Sequence, residues 1–282
     1  MIDPYTLRFE AFQEHQDWIF TKVADPQALS RATAEEVVAE LKCAETENRQ
    51  LMVICPVGPI DYSYWVEAMN REQTDGSRLL TVNMDEYLDS EEQLIPESHP
   101  LSFRRFMNTG LFSRLTGRAR VPSANIHFPS PGEPEETTRL IEEHGGADLC
   151  YGGMGLTGHF AFNDPPEPGE PANGHVQNSR TRVVRISRES QAQMCIGGTA
   201  GNWEIIPQLA ITVGMYELLM SKRIHLTFMR SWHAGVLRRA LFGPITSQCP
   251  GSFVQCHGNV TVTVTELAAA LPLINVAQRT AE

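Results

Sequence analysis

The sequence alternates short apolar stretches with stretches of helical periodicity, and this alternation is the feature that most limits how the chain can fold. Five stretches have the apolar, β-branched character of buried strands, namely 49–55, 79–82, 147–151, 224–229 and 260–265. Helical spacing of apolar residues predicts helices at 30–45, 61–71, 102–112, 135–143, 216–221 and 233–241. Strands that alternate with helices form parallel sheets covered on both faces. We therefore predict an α/β fold with a doubly wound, mostly parallel sheet.

The length and the proline content of the chain suggest its domain organisation. The 282 residues suit one large domain or two small ones. We predict a single α/β domain over 30–282, preceded by an N-terminal extension over 1–29. Residues 163–174 are too rich in proline for regular structure and directly follow a glycine-rich turn. Long loops in such positions tend to cover a site, so we predict an irregular lid over 163–205.

The charge and the cysteine pattern exclude several classes of partner. The net charge of −11 would repel a phosphate-rich polymer, so no nucleic acid partner is expected. No apolar run approaches the roughly 18 to 20 residues of a membrane span, and we expect no membrane partner. The first residues contain neither a basic cluster nor an apolar stretch, which predicts a cytoplasmic location. The six scattered cysteines indicate reduced thiols and no zinc site.

A glycine-rich segment follows the third predicted strand. Gly153, Gly155 and Gly158 fit the GxGxxG pattern of dinucleotide-binding proteins, which requires a helix directly after the last glycine. The sequence continues with HFAFNDPP instead, and proline at that place argues against such a helix. We therefore predict no nucleotide cofactor, and we expect the glycines to let the backbone approach a ligand closely.

Two groups of residues near strand ends carry the functional groups for proton transfer. His159 follows the last glycine of the turn, and Asp164 lies close enough along the chain to orient its imidazole as a general acid or base. Asp85 and Glu86 follow the second predicted strand, where a carboxylate in a partly dry crevice is suited to move a proton between adjacent carbons of a carbonyl compound. A hydrogen-bonded structural histidine and a pair of solvated loop acids are the common alternatives.

Several motifs in a fixed order resemble one known family. NMDEY, HPLSFRRFM, ANIHF, GGMGLTGHFAFNDP, NSR and IPQLAITVG are similar to the motifs of the glucosamine-6-phosphate deaminase/isomerase family, whose sister group is 6-phosphogluconolactonase. The similarity covers about 30–265. It implies a modified Rossmann-like sheet without metal or nucleotide cofactor, and a homo-oligomeric assembly. It also implies isomerisation of an aldose to a ketose with loss of ammonia from an amino sugar phosphate.

The resemblance also implies roles for individual residues. Asp85 matches the carboxylate that abstracts the proton, and His159 matches the histidine that opens the sugar ring. Asp164 takes the place of a glutamate that supports this histidine, and its shorter side chain must still reach the imidazole. Thr157 stands where the family has an acid, so one carboxylate is missing beside the histidine. We assign Thr157 and Glu86 to the substrate-binding residues.

The phosphate-binding residues of the family are altered in this chain. The loop that matches the family's phosphate loop contains Val57, Gly58 and Pro59, and it lacks a hydroxyl residue and one N–H donor. Arg180 matches a phosphate-binding arginine, whereas His233 replaces a phosphate-binding lysine and makes that charge dependent on pH. We therefore expect a sugar substrate with a weaker anion than phosphate, or with none.

Two other functions remain open at this point. A lactonase would use the same glycine-rich turn and its histidine to activate water on a ring ester, although the residues AFN after His159 argue against it. A non-catalytic sugar-binding protein would explain the altered phosphate loop. Such a protein would not need both Asp85 and His159.

Overall fold

The computed structural model describes residues 3–172 and 174–272, which contain a large parallel sheet and a small antiparallel sheet. The seven strands of the large sheet are, in spatial order, Ile19–Val23 (β1), Val260–Thr265 (β10), Ile224–Phe228 (β9), Leu149–Gly152 (β6), Leu51–Cys55 (β2), Leu79–Asn83 (β3) and Ile126–His127 (β5). The three strands of the small sheet are Asp85–Leu88 (β4), Leu209–Thr212 (β8) and Arg182–Arg185 (β7). The predicted mostly parallel α/β sheet is confirmed.

Helices connect these strands. The α-helices of the described residues are Pro26–Thr46 (α1), Ser63–Glu72 (α2), Phe103–Gly110 (α3), Pro134–Glu143 (α4), Gly174–Gln177 (α5), Arg188–Gly197 (α6), Met215–Leu219 (α7), His233–Phe242 (α8) and Glu266–Ala269 (α9). The described residues also form 3₁₀ helices at Pro4–Thr6, Phe9–Glu14, Gly76–Arg78, Phe112–Arg114, Gly117–Ala119, Ser123–Asn125 and Pro250–Cys256. Within the described ranges, no helix has the length and apolarity needed to cross a membrane.

Both faces of the large sheet are buried. Along β2, Met52 and Ile54 join one apolar cluster with residues of α8, while Leu51, Val53 and Cys55 join another with residues of α1 and α2. Successive side chains of a strand point to opposite faces, so a strand that is apolar at every position needs a layer of helices on each side. This packing is the doubly wound arrangement that the sequence predicts.

The strand order places a crevice at the carboxyl ends of β2 and β6. The chain runs from β2 to β3 and β5 on one side, and then returns to the other side of β2 with β6. Ligands of open α/β sheets bind where the strand order reverses in this way. The loop after β2 and the glycine-rich turn after β6 are therefore neighbours at the expected position of a site.

The N-terminal residues, predicted as an extension, pack against the rest of the molecule. Leu7, Phe12 and Trp18 are buried in the cluster that contains α8, and β1 pairs with β10 at the sheet edge. Helix α1 begins at Pro26 rather than at residue 30, because the carboxylate of Asp25 accepts a hydrogen bond from the N–H of Ala28 (2.7 Å).

One local prediction around the crevice is wrong, and the common alternative of a solvated loop acid does not hold for Asp85. The segment 163–205 is not irregular throughout, since it contains β7 and α6. Asp85 lies in a strand, not in a loop, because β4 pairs with β8 more than a hundred residues later in the chain. Pairing over such a distance leaves little signal in the local sequence of four residues.

Candidate active site

Asp85 carries a buried carboxyl group at the first position of β4 in the small sheet. It opens β4 opposite Thr212 of β8, and only 7% of the residue is exposed. Desolvation, followed by the nearby charge of Glu86, raises the pKa of Asp85 to about 8. A carboxyl group with such a pKa is a much stronger base in its ionised form than an ordinary aspartate, which suits the removal of a proton next to a carbonyl group.

Glu86 points to the opposite side of β4 and binds the start of helix α3. Its fully buried carboxylate accepts hydrogen bonds from the N–H groups of Phe103 (2.9 Å) and Arg104 (2.8 Å) and from the hydroxyl of Ser102 (3.0 Å). The guanidinium of Arg104 also bonds it at 3.3 Å. An anion at a helix N-terminus is favourable because it meets free N–H groups. This structural task corrects the expectation that Glu86 binds substrate.

The glycines of the turn after β6 make room for side chains of the protein itself. A Cβ atom at Gly155 would lie 2.0 Å from Cε1 of His159, and one at Gly152 would lie 2.1 Å from the ring of Phe160. Gly158 has a φ of +83°, and a Cβ there would lie 2.4 Å from the sulfur of Cys249. The expectation that the glycines of the GxGxxG pattern admit a ligand is therefore corrected at Gly155 and Gly158, whereas Gly152 is the last residue of β6 and was not part of that expectation.

His159 and Asp164 form a hydrogen-bonded pair, as their spacing predicts. Nδ1 of His159 lies 2.9 Å from Oδ1 of Asp164, so the shorter side chain does reach the imidazole. Oδ1 also accepts from the hydroxyls of Thr157 (3.1 Å) and Ser190 (2.7 Å), and Oδ2 accepts from the N–H of Ser187 (3.1 Å). Burial raises the pKa of Asp164, but the hydrogen bond and charge of His159, with the hydrogen bonds from Ser190 and Ser187, outweigh it and lower the pKa to about 2.

The small sheet joins the strand of Asp85 to the segment that carries the pair. The N–H of Phe162, between His159 and Asp164, donates to the hydroxyl of Thr212 (3.0 Å), the residue paired with Asp85. The next residue, Asn163, donates to the backbone oxygen of Val213 (2.9 Å). The pairing of β4 with β8, together with these two hydrogen bonds, therefore fixes the strand of Asp85 relative to the segment of His159.

The loop after β2 lies beside the glycine-rich turn. Pro59 approaches Gly153, where a Cβ atom would lie 3.4 Å from the Cβ of Pro59. Gly58 has a φ of +114° and open space around its Cα, while Val57 packs against two apolar clusters. The predicted loop residues thus lie at the crevice. Neither Val57 nor Pro59 has a hydroxyl that could bind an anion, and Pro59 also lacks a backbone N–H.

Arg180 and His233, the two predicted phosphate-binding residues, are engaged elsewhere. The exposed guanidinium of Arg180 bonds Glu142 (2.8 Å) and lies 4.3 Å above the ring of Tyr216. Nδ1 of His233 accepts the N–H groups of Met229 and Arg230, both at 3.0 Å. Burial, and then the charge of Arg230, lower the pKa of His233 to about 3, so its imidazole is neutral at physiological pH. In these positions neither residue offers a free cation, and their phosphate-binding role stays a prediction.

Sequence analysis missed two serines of this site. Ser187 caps helix α6, and Ser190 lies in the first turn of that helix with its hydroxyl 3.0 Å from Nδ1 of His159. Serines at a helix start are common, and the pattern S-x-x-S predicts a cap rather than a site. No local pattern of the sequence shows that α6 packs on the glycine-rich turn, so the sequence gives no sign that Ser190 lies beside His159.

The substitution Gly155→Ala tests whether the imidazole position matters. The new methyl group would occupy the place of Cε1 and Nε2 of His159, at 2.0 and 2.1 Å, and must displace the ring. A misplacement of about 1 Å in an active site costs about 100-fold in rate, and we expect a loss of that order in kcat. Gly197→Ala in α6, where nothing lies within 4 Å of the new methyl, is the control. Wild-type kcat in Gly155→Ala would contradict a catalytic role of His159.

Several relatives of this chain have the name glucosamine-6-phosphate deaminase. Glucosamine-6-phosphate deaminase of Rhodopirellula baltica is 32% identical over 217 residues, which cover 74% of this chain and 78% of the relative. Glucosamine-6-phosphate deaminase 2 of Bacillus subtilis is 31% identical over 221 residues, with coverage of 76% and 81%. The Caenorhabditis elegans enzyme of the same name is 30% identical over 243 residues, with coverage of 83% and 84%. No family model matches the chain.

Solved structures share the fold. A monomeric glucosamine-6-phosphate deaminase superposes with a TM-score of 0.76 at 23% identity, covering 90% of this chain and 99% of that one. The 6-phosphogluconolactonase of Thermotoga maritima has a TM-score of 0.62 at 18% identity, with coverage of 88% and 99%. The sequence identity of the relatives over most of their length decides the family. This chain therefore belongs to the glucosamine-6-phosphate deaminase family of enzymes.

Proposed function

We propose that this enzyme isomerises and deaminates an amino sugar, with Asp85 as the base and His159 as the acid and base at the sugar oxygen. The observation that carries this proposal is the connection of the buried Asp85 carboxyl, through Thr212, to the segment of His159 and Asp164. A proton transfer between carbons and a proton transfer to oxygen need two groups on one substrate. The relatives named glucosamine-6-phosphate deaminase support the reaction class.

The proposed reaction follows from what each group can do. His159, oriented by Asp164 through Nδ1, exchanges a proton at Nε2 with the ring oxygen, and the sugar opens to a 2-amino aldehyde. Asp85 removes the proton from carbon 2 while the aldehyde oxygen takes up a proton, which gives an enolamine. Asp85 then returns its proton to carbon 1 as the amino group loses one. The resulting imine at carbon 2 is hydrolysed by water, which yields the ketose and ammonia.

We further propose that the substrate does not carry the usual 6-phosphate, and is an unphosphorylated, carboxylated or otherwise decorated sugar. The loop with Val57 and Pro59 has lost donors for a phosphate, His233 is neutral, and Arg180 pairs with Glu142. A dianion needs charge-assisted hydrogen bonds to offset its desolvation. None of these four residues supplies one in its observed position.

Ammonia release from a panel of sugars tests this proposal. We expect unphosphorylated or carboxylated amino sugars to be turned over better than glucosamine 6-phosphate. A kcat/KM above about 10⁴ M⁻¹s⁻¹ for glucosamine 6-phosphate is an ordinary enzymatic rate. Such a value would contradict the proposal that the substrate lacks the 6-phosphate. Aldonolactones belong in the same panel, since hydrolysis of the ester without isomerisation would favour the lactonase. The buried base Asp85 is the observation that favours the isomerase.

Restoring donors to the loop provides a second test. The double substitution Val57→Ser and Pro59→Gly adds a hydroxyl and an N–H beside the turn. A hydrogen bond to a charged group contributes about 1.5–3 kcal/mol, so we expect at least a tenfold lower KM for glucosamine 6-phosphate. Pro59→Gly alone, which adds only the N–H, should have a smaller effect. An equal change in KM for an unphosphorylated sugar would show that the loop does not meet the phosphate.

A further inference from the structure

Helix α6 is bonded to both ends of the segment that carries His159. The N–H of Ser187 donates to Oδ2 of Asp164 (3.1 Å), and the hydroxyl of Ser190 donates to Oδ1 (2.7 Å). One turn later, the side-chain oxygen of Gln193 accepts the N–H of Leu156 (2.6 Å). The helix therefore presents its first turn, with the positive end of its dipole, to the carboxylate that orients the imidazole.

Two hydroxyls surround Nδ1 of the imidazole. The hydroxyl oxygen of Thr157 lies 2.9 Å from Nδ1 of His159, and that of Ser190 lies 3.0 Å from it. Both hydroxyls also lie within donating distance of Oδ1 of Asp164. A hydroxyl has one hydrogen, so a hydroxyl that donates to the carboxylate turns only lone pairs toward Nδ1. Nδ1 must then carry the proton, which leaves Nε2 to exchange a proton with a ligand.

We propose that Ser190 is a positioning residue that fixes this tautomer of His159. Its hydroxyl, brought in by α6, holds Oδ1 of Asp164 against the Nδ1–H group and closes that side of the ring to water. The inference rests on the proposed function only for the use of Nε2 in catalysis. The tautomer itself is a property of the enzyme without substrate.

The pair of hydroxyls explains how the site works without a second acid. The resemblance places an acid at position 157, where a carboxylate would accept a hydrogen bond and compete with Asp164 for the Nδ1 proton. Thr157 and Ser190 donate instead, so Asp164 is the acceptor for all three groups. Ser190 comes from another element, 31 residues after His159. Orientation of the imidazole thus depends on the docking of α6.

The kinetic test compares three variants of the full chain. We expect Ser190→Ala to lower kcat about tenfold with little change in KM, because a general acid contributes about 10²–10⁴ and only its orientation is impaired. Ser190→Thr keeps the hydroxyl and should recover most of the loss. The control is Ser30→Ala, which removes a buried hydroxyl that accepts from the N–H of Asp61 and bonds neither His159 nor Asp164. It should leave kcat unchanged.

The second readout needs no substrate. Proton NMR of the free enzyme follows the Nδ1–H signal of His159, and we expect its exchange with water to be at least tenfold faster in Ser190→Ala than in wild type or Ser30→Ala. Wild-type exchange in Ser190→Ala would overturn the proposal, as would a Ser190→Thr variant that behaves like Ser190→Ala. If no sugar is turned over, the proposed function fails, while the Nδ1–H measurement still decides the role of Ser190.

Discussion

We expect the substitution Asp85→Asn to abolish the exchange of the substrate's carbon 2 proton with solvent deuterium. The amide has the same shape but cannot accept the proton, and a general base contributes about 10²–10⁴ in rate. In the wild type, kcat/KM should rise with pH up to about 8, where the Asp85 carboxyl becomes fully available as a base. The exposed neighbour Asp89 provides the matched control, since Asp89→Asn makes the same chemical change outside the crevice. Exchange that survives in Asp85→Asn would remove Asp85 from the mechanism.

The same variant should be more stable than the wild type at alkaline pH. The folded protein holds the Asp85 proton more tightly than the unfolded chain does, so ionisation between pH 3.8 and about 8 costs folded-state stability. The amide at position 85 does not ionise and avoids this cost. Chemical unfolding should therefore show a gain above about 1.4 kcal/mol, the value of one pKa unit, at pH 9 and almost none at pH 4. A gain at pH 9 also shows that lost activity is not lost folding.

We expect Glu86→Ala to lower the free energy of unfolding by about 3–5 kcal/mol, the usual cost of removing one partner of a buried ion pair. The variant leaves the N–H groups of Phe103 and Arg104, the hydroxyl of Ser102 and the Arg104 guanidinium without their acceptor. Urea unfolding at neutral pH measures the difference.

The variant Glu86→Gln separates charge from shape. It keeps one acceptor oxygen at the start of α3 but loses the negative charge, so its loss should be smaller, about 1–3 kcal/mol. A Glu86→Ala variant within 1 kcal/mol of the wild type would contradict the structural role assigned to this carboxylate. In that case the binding of substrate by Glu86 would again be the simpler interpretation of its place beside Asp85.

Local patterns predicted the parts of the fold that depend on nearby residues. The strand Val260–Thr265 matches its predicted range, and the apolar run LMVIC forms the buried strand Leu51–Cys55, because a strand that is covered on both faces is apolar at every position. The spacing of His159 and Asp164 predicted their hydrogen bond, since the two residues are close along the chain in one turn.

Other features depend on contacts between distant parts of the chain. The neighbours Asp85 and Glu86 have the same chemistry in the sequence, but they lie on opposite sides of β4 once it pairs with β8, and only Glu86 binds the start of helix α3. The position of Arg180 next to Glu142, and of Ser190 next to His159, also requires elements that meet only in the folded molecule.

The sequence by itself determined the parallel α/β sheet, the glycine-rich turn with its histidine and aspartate, and the loss of donors at Pro59, because each of these follows from residue types at short range. The tertiary structure decided which acid of the Asp85–Glu86 pair is free, that His233 is a neutral buried imidazole, and that a helix hydroxyl reaches the catalytic candidate. Burial and long-range pairing set the pKa values and the hydrogen-bond partners of these groups, and neither is contained in a local pattern.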